Sequence, residues 1–104
     1  MKKVVWTEQA YYALQQTVHY ISAHYGRKAA ERLLKDAFHT GLLLGDNPYM
    51  GAIEPLMAQR AVTYRSIVVG RLNKIIYRIQ DEHIEIADFW DVRREPETLS
   101  QQIK

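Results

Sequence analysis

Residues 61–91 read AVTYRSIVVGRLNKIIYRIQDEHIEIADFWD, three short runs rich in Val, Ile, Tyr and Phe broken by two compact polar joints. Alternate side chains of a strand face opposite ways, so period-2 runs separated by brief turns specify an antiparallel meander. Turns centred on Arg71-Leu72 and on Asp81-Glu82 set a register. One face then carries Tyr64, Ile79 and Ile84 in a row, with Ser66, Tyr77 and Ile86 beside them and Val68 opposite Ile75. The other carries Ile67, Ile76 and Ala87, flanked by Arg65, Arg78 and Glu85. Asp88 falls on the first, apolar face, so a bulge or an edge is expected there. A slip of one residue in either hairpin would mix the two sets.

Charge in this stretch is polarised. Five basic residues and no acid lie between Arg60 and Arg78, and five acids with no Lys or Arg lie between Asp81 and Asp91. Cross-strand pairing of Arg78 with Glu85 accounts for one arginine and contributes up to ~1 kcal/mol. In this register Arg65 stands beside Arg78 without an acid of its own, as an arginine reserved for an external anion would. A solvated arginine is the competing reading.

A chain of 104 residues, 47% apolar and 25% charged, is expected to form a single domain over residues 1–104 with one core. The net charge of +2 is too small for overall attraction to nucleic acid, which leaves only a local patch to serve that purpose. Without cysteine there is no disulfide and no thiolate metal site, which fits a reducing compartment. The N-terminus MKKVVWTEQ lacks the apolar run of a signal peptide, and no stretch approaches the ~20 apolar residues of a membrane span. A cytoplasmic location without membrane contact is the expectation.

Lys2 to Trp6 is β-branched and aromatic and reads as a first strand. Thr7 is a plausible N-cap, with Glu8 in the first helical turn. Ala10, Leu14, Val18, Ile21 and Tyr25 then recur at helical spacing until Gly26. A second helix begins near Arg27 with Ala30, Leu33, Leu34, Ala37 and Leu44 inward, and the minimal joint makes the two an antiparallel hairpin. Gly45-Asp46-Asn47-Pro48, Gly51 and Pro55 keep residues 45–60 irregular, with Leu56 and Met57 tucked back on the core. Pro96 to Ile103 is expected to form a last short helix. The fold class is α+β, ordered β-α-α-β-β-β, with the helices on one face of the sheet. The opposite face, expected to show Ile67, Ile76, Phe89 and nearby Val69, calls for the C-terminal tail, a second copy in a homodimer, or a partner chain.

This order, with YRSIVVGRLNKIIYRI followed by HIEIADFWDVRREP, resembles the RelE/ParE superfamily of bacterial toxins from type II toxin–antitoxin, or plasmid stabilisation, modules. Trp6-Thr7 matches the end of the family's first strand, and Leu44, Pro48 and Gly51 match its Leu-x-x-x-Pro-x-x-Gly stretch. Tyr64-Arg65 matches the Tyr-Arg that opens the second strand. Ile75, Tyr77 and Ile79 match its Ile-x-Tyr-x-Ile, and Arg93 to Pro96 its Arg-x-x-Pro-like ending. The resemblance runs from about Lys3 to Leu99.

The resemblance implies a toxin with a cognate antitoxin. It also implies one of two targets: DNA gyrase in the ParE-like branch, or ribosome-bound mRNA in the RelE-like ribonuclease branch. RNA cleavage needs a base for the 2′-OH, an acid for the leaving oxygen and cations for the phosphorane. Arg65, with Lys74 and Arg78, would supply the cations. At the position where many ribonuclease members carry His stands Asp91, a carboxylate that donates protons poorly at neutral pH and repels phosphate. That departure favours the ParE-like branch, with Arg65, Arg71, Arg93 and Arg94 toward the target and Ile67, Ile76 and Phe89 toward the antitoxin. An inactive, antitoxin-binding relative is a third reading.

Other chemistry is thinly supported. His19 and His24 are five apart and share no helix face as a metal pair would, and His39 and His83 lack acidic partners at ligand spacing. No glycine motif cradles a phosphate, so no metal and no cofactor are expected. Tyr11, Tyr12, Tyr20 and Tyr25 read as helix-packing and snorkelling side chains in preference to a base-stacking platform, and Trp90 as a packing residue of an edge strand.

Overall fold

The computed structural model describes residues 1–92. Strand β1 (Lys3–Trp6) leads into helices α1 (Glu8–Tyr25) and α2 (Arg27–Asp46), a two-residue strand β2 (Ala52–Ile53) and a 3₁₀ turn (Pro55–Met57). Strands β3 (Arg65–Val69), β4 (Asn73–Ile79) and β5 (His83–Asp91) follow. The five strands form one sheet in the order β1-β5-β4-β3-β2. The α+β class and the predicted order stand. The sheet is mixed, however: β1 runs parallel to β5, pairing Val4 with Ile84 and Trp6 with Ile86. The parallel pairing of β1 and the strand within the expected irregular loop are additions to the sequence reading.

The helices follow their local signals. Thr7 caps α1, its hydroxyl accepting from the Ala10 amide at 3.1 Å, and Gly26 ends it. Thr7 also joins the cap to the sheet, donating from its amide to Ile86 O at 3.0 Å and from its hydroxyl to Ala87 O at 3.2 Å. Ala10 and Leu14 of α1 and Ala30, Ala37 and Leu44 of α2 are buried. They cover Val69, Ile75, Tyr77, Ile84, Ile86 and Phe89, with Leu33, Leu34, Ile67 and Ile79 packed at the border. Tyr25 does not belong to this stripe; it is 69% exposed at the hairpin tip. Tyr11, Tyr12 and Tyr20 are about half exposed on α1, as snorkelling side chains are, with the Tyr20 ring stacked on that of His24 at 4.0 Å.

The β4–β5 hairpin has the expected register beside its turn, with Ile79 opposite Ile84, Arg78 opposite Glu85 and Tyr77 opposite Ile86. A bulge then sets in, and Ile76 pairs with Asp88. Ala87 is the extra residue. It moves Asp88 off the helix-covered face and turns Phe89 onto it. The buried Asp88 carboxylate accepts from the Phe89 amide (2.8 Å), the Trp90 indole (2.9 Å) and the Gln9 amide (2.9 Å). Trp90 is fully buried, the packing residue the sequence suggests; β5 lies between β1 and β4, but β1 pairs only with His83 to Ile86, so at Trp90 the strand is paired on its β4 side alone.

The β3–β4 register differs from the expectation by one residue. Val69 pairs with Asn73, so the turn takes three residues, Gly70-Arg71-Leu72, in place of two. Gly70 has φ +64°, a left-handed conformation open to glycine at no steric cost. Because side chains alternate, that one residue turns β3 over. Ile67 faces Ile75 in the helix-covered core, and Arg65 faces Tyr77, not Arg78. The open face expected to show Ile67, Ile76 and Phe89 does not exist as such. Ile67, Val69 and Phe89 point toward the helices, while Ile76 lies on the other face in a second cluster with Met57, Tyr64, Ala87 and Trp90. Met57 and Leu56 fold over that cluster as the sequence suggests. The expected helix Pro96 to Ile103 lies outside the described residues.

Candidate target-binding site

The loop after α2 is held against the sheet by one buried phenol. Tyr77 Oη donates to Pro48 O at 2.7 Å and accepts from the Gly51 amide at 3.0 Å. Burial pushes the Tyr77 hydroxyl above its ordinary pKa, and the Gly51 hydrogen bond and the Arg65 charge only partly offset this. Gly51 must be glycine here, since a Cβ would stand 2.5 Å from Ser66 O and 2.8 Å from Tyr77 Oη. The Pro-x-x-Gly stretch therefore spans the phenol that the third-strand tyrosine provides.

Arg65 completes the arrangement. Its Nη1 donates to Gly51 O at 2.9 Å, and its guanidinium lies 4.8 Å from the centre of the Tyr49 ring. Arg65 and Tyr49 share an open cleft of about 620 Å³ with Lys2, Thr63 and Asp81. Lys2 reaches this cleft from the start of the chain, its Nζ donating to Gln80 O at 3.0 Å and to Asp81 O. Arg65 has no carboxylate partner among the described residues, as the sequence suggested, but for another reason than the one expected. It is not beside Arg78; it is oriented by a backbone carbonyl and a tyrosine ring.

Arg78 and Lys74 are engaged elsewhere. Arg78 grips Glu85 with both prongs, Nε to Oε1 at 2.9 Å and Nη2 to Oε2 at 3.5 Å. Lys74 bonds the buried carboxylate of Glu54 and lies 5.4 Å from the centre of the Trp90 ring. Burial alone would raise the Glu54 pKa. Hydrogen bonds from Lys74, the Leu56 amide and Ser66, together with the Lys74 charge, outweigh it and hold the carboxyl below its usual value. Lys74 and Arg78 share the face of Ile76, whereas Arg65 is on the opposite face, so the three do not converge. Arg71 is exposed in the β3–β4 turn. Asp91 ends β5 opposite Asn73. Arg93 and Arg94 lie outside the described residues. Ile76 and Phe89 are fully buried and Ile67 half-buried.

Two participants escaped the sequence reading. Glu54, the partner of Lys74, sits before Pro55 in a loop read as irregular; an acid just upstream of a basic run was the available signal. Tyr49 lies within the Pro-x-x-Gly stretch, and nothing in its local pattern places it against Arg65.

Comparison with known proteins agrees with this architecture. No curated protein sequence matches the chain. Among solved structures, a chain described as "Chromosomal ParDE TA system from P. aeruginosa" superposes with a TM-score of 0.74 at 19% identity. The match covers 89% of this chain and 98% of that one, and at such identity it speaks for the fold. Residues 4–96 match the family described as "ParE toxin of type II toxin-antitoxin system, parDE". That span takes in all of β1 but its first residue, the helical hairpin, the Pro48–Gly51 loop and the whole meander, and the chain belongs to this family of ParE toxins.

Proposed function

We propose that this toxin arrests growth by binding DNA gyrase, with Arg65 and Arg71 toward the target, and that a cognate antitoxin neutralises it. The observation that carries the choice over mRNA cleavage is the dispersal of the candidate cations. Lys74 and Arg78 are each committed to a carboxylate on one face, and Arg65 is on the other. A ribonuclease site needs cations converging on one phosphate, with an acid and a base at hydrogen-bond reach. Asp91, at the position where ribonuclease relatives carry His, adds negative charge instead. Arg93 and Arg94, outside the described residues, are proposed as further target contacts.

The antitoxin reading is supported by the ParDE system to which the similar structure belongs. Ile76 and Phe89 are fully buried and Ile67 is half-buried, so we move the surface proposed for the antitoxin to exposed apolar residues of α2. Leu42 is 62% exposed one turn from Phe38, whose ring meets Trp6 edge-on at 5.2 Å.

Induced expression in a bacterial host, paired with two reconstituted reactions, tests the reading. Growth should stop and recover when the neighbouring antitoxin gene is co-expressed. Purified protein should abolish supercoiling by gyrase and leave ribosome-programmed mRNA intact. Clean cleavage of that message would overturn the proposal in favour of the ribonuclease branch, and harmless expression would favour an inactive relative.

A further inference from the structure

The cleft in front of Arg65 has a composition that the gyrase reading does not explain. Two cations line it, and each is oriented by backbone carbonyls, Arg65 by Gly51 O and Lys2 by Gln80 O and Asp81 O. Carbonyls fix the direction of a cationic group without neutralising its charge. A guanidinium has five N–H donors and an ammonium three, so donors remain on both after these bonds. Tyr49 stands at the same cleft with its ring against the Arg65 guanidinium and 72% of its surface exposed. A large aromatic side chain kept in solvent beside an arginine offers a stacking surface next to an anion-binding fork. The volume, about 620 Å³, falls within the ~300–1,000 Å³ of small-ligand sites.

We propose that this cleft binds a nucleotide unit, its phosphate held by Arg65 and Lys2 and its base stacked on Tyr49. An acidic peptide would use the cations but leave the ring idle; a nucleotide uses both. Exposed Thr63 lies within reach of the same cleft as a hydroxyl donor. Asp81, on the rim, opposes a phosphate and weakens binding, which makes its removal informative. The inference rests on the toxin reading only in placing the cleft on the surface that meets the target. Binding is measured on the purified chain, so its failure leaves growth inhibition intact, and a harmless protein that still binds leaves the cleft intact.

The probe is a fluorescein-labelled single-stranded oligothymidylate, followed by anisotropy and competed with thymidine 5′-monophosphate. With one or two phosphates engaged, affinity should fall about three- to sevenfold between 50 and 200 mM salt. Tyr49→Ala should weaken binding about tenfold, as loss of a base-stacking aromatic does. Lys2→Ala should weaken it several-fold, and Asp81→Asn should tighten it about threefold. Arg65→Lys keeps the charge and loses the fork; it should bind more weakly than the parent while circular dichroism shows the same fold. Competition by the monophosphate at equal phosphate concentration identifies a free nucleotide as the ligand, and competition by the strand alone identifies nucleic acid; both support the site. Absence of binding to either probe overturns the proposal. So does binding that is indifferent to Tyr49→Ala, or a preference for polyglutamate over the oligonucleotide.

Discussion

Replacing Tyr77 by Phe removes one oxygen from a fully buried ring and changes nothing else in its volume. That oxygen accepts from the Gly51 amide and donates to Pro48 O. In Tyr77→Phe the buried Gly51 N–H loses its partner at a cost of ~1–3 kcal/mol, while Pro48 O, half-buried, turns to water at a cost of ~1 kcal/mol or less. Phe no longer desolvates a hydroxyl, which returns part of the sum. The net expectation is a loss of about 2–3 kcal/mol. For a chain of this size that corresponds to roughly 10–20 °C in Tm. Urea and thermal unfolding give the magnitude, and amide exchange at Gly51 gives the location. Exchange there should accelerate far more than at Ile84 or Ile86, because the loop loosens while the core stays packed. The Arg65–Tyr49 contact rides on the same loop, so growth inhibition should weaken even at temperatures where the variant is folded. A stability change below ~0.5 kcal/mol with unchanged Gly51 protection would refute the reasoning, because 0.5 kcal/mol is the level of a surface substitution.

Lys74→Ala leaves the buried Glu54 carboxylate without its cation and should cost about 3–5 kcal/mol in urea unfolding, whereas the double variant Glu54→Gln, Lys74→Met should recover most of it. Arg78→Ala, which breaks a partly exposed pair, should cost no more than ~1 kcal/mol in the same assay. The depressed Glu54 pKa makes a stabilising contribution present above the ordinary carboxylate value of 4.5 and lost as pH falls through the lower folded value; acid titration of the fold should lose this component in Glu54→Gln. The raised Tyr77 pKa has the opposite sign, with stability present below pH 10.0 and lost above it, so Tyr77→Phe should flatten the alkaline limb. Arg65→Ala should cost about 1–2 kcal/mol by thermal unfolding, since it removes a charged donor from Gly51 O and a cation from the Tyr49 ring, and not the ~0.5 kcal/mol that a solvated arginine would give.

What the sequence determined by itself is local. Thr7 and Gly26 mark the ends of α1 because capping acts within a few residues, and the 3.6-residue period of Ala10, Leu14, Ala30, Ala37 and Leu44 survives any arrangement of the sheet. Next to the Asp81-Glu82 turn the register, including Arg78 against Glu85, was legible for the same reason. Asp88 announced its bulge because a carboxylate cannot enter an apolar face without leaving the pleat. The tertiary structure decided the rest. Alternation in β3 reads equally well in either register, and only the conformation of Gly70, with a third residue in the turn, moved Arg65 from Arg78 to Tyr77 and sent Ile67 inward. The parallel seat of β1 beside β5 joins residues some 80 apart, a pairing for which neither strand carries a local signal. Glu54 beneath Lys74, and Tyr49 over Arg65, are likewise meetings made when the loop folds onto the sheet. Local patterns specify which way a side chain faces relative to its neighbours along the chain; what it faces depends on contacts distant in sequence.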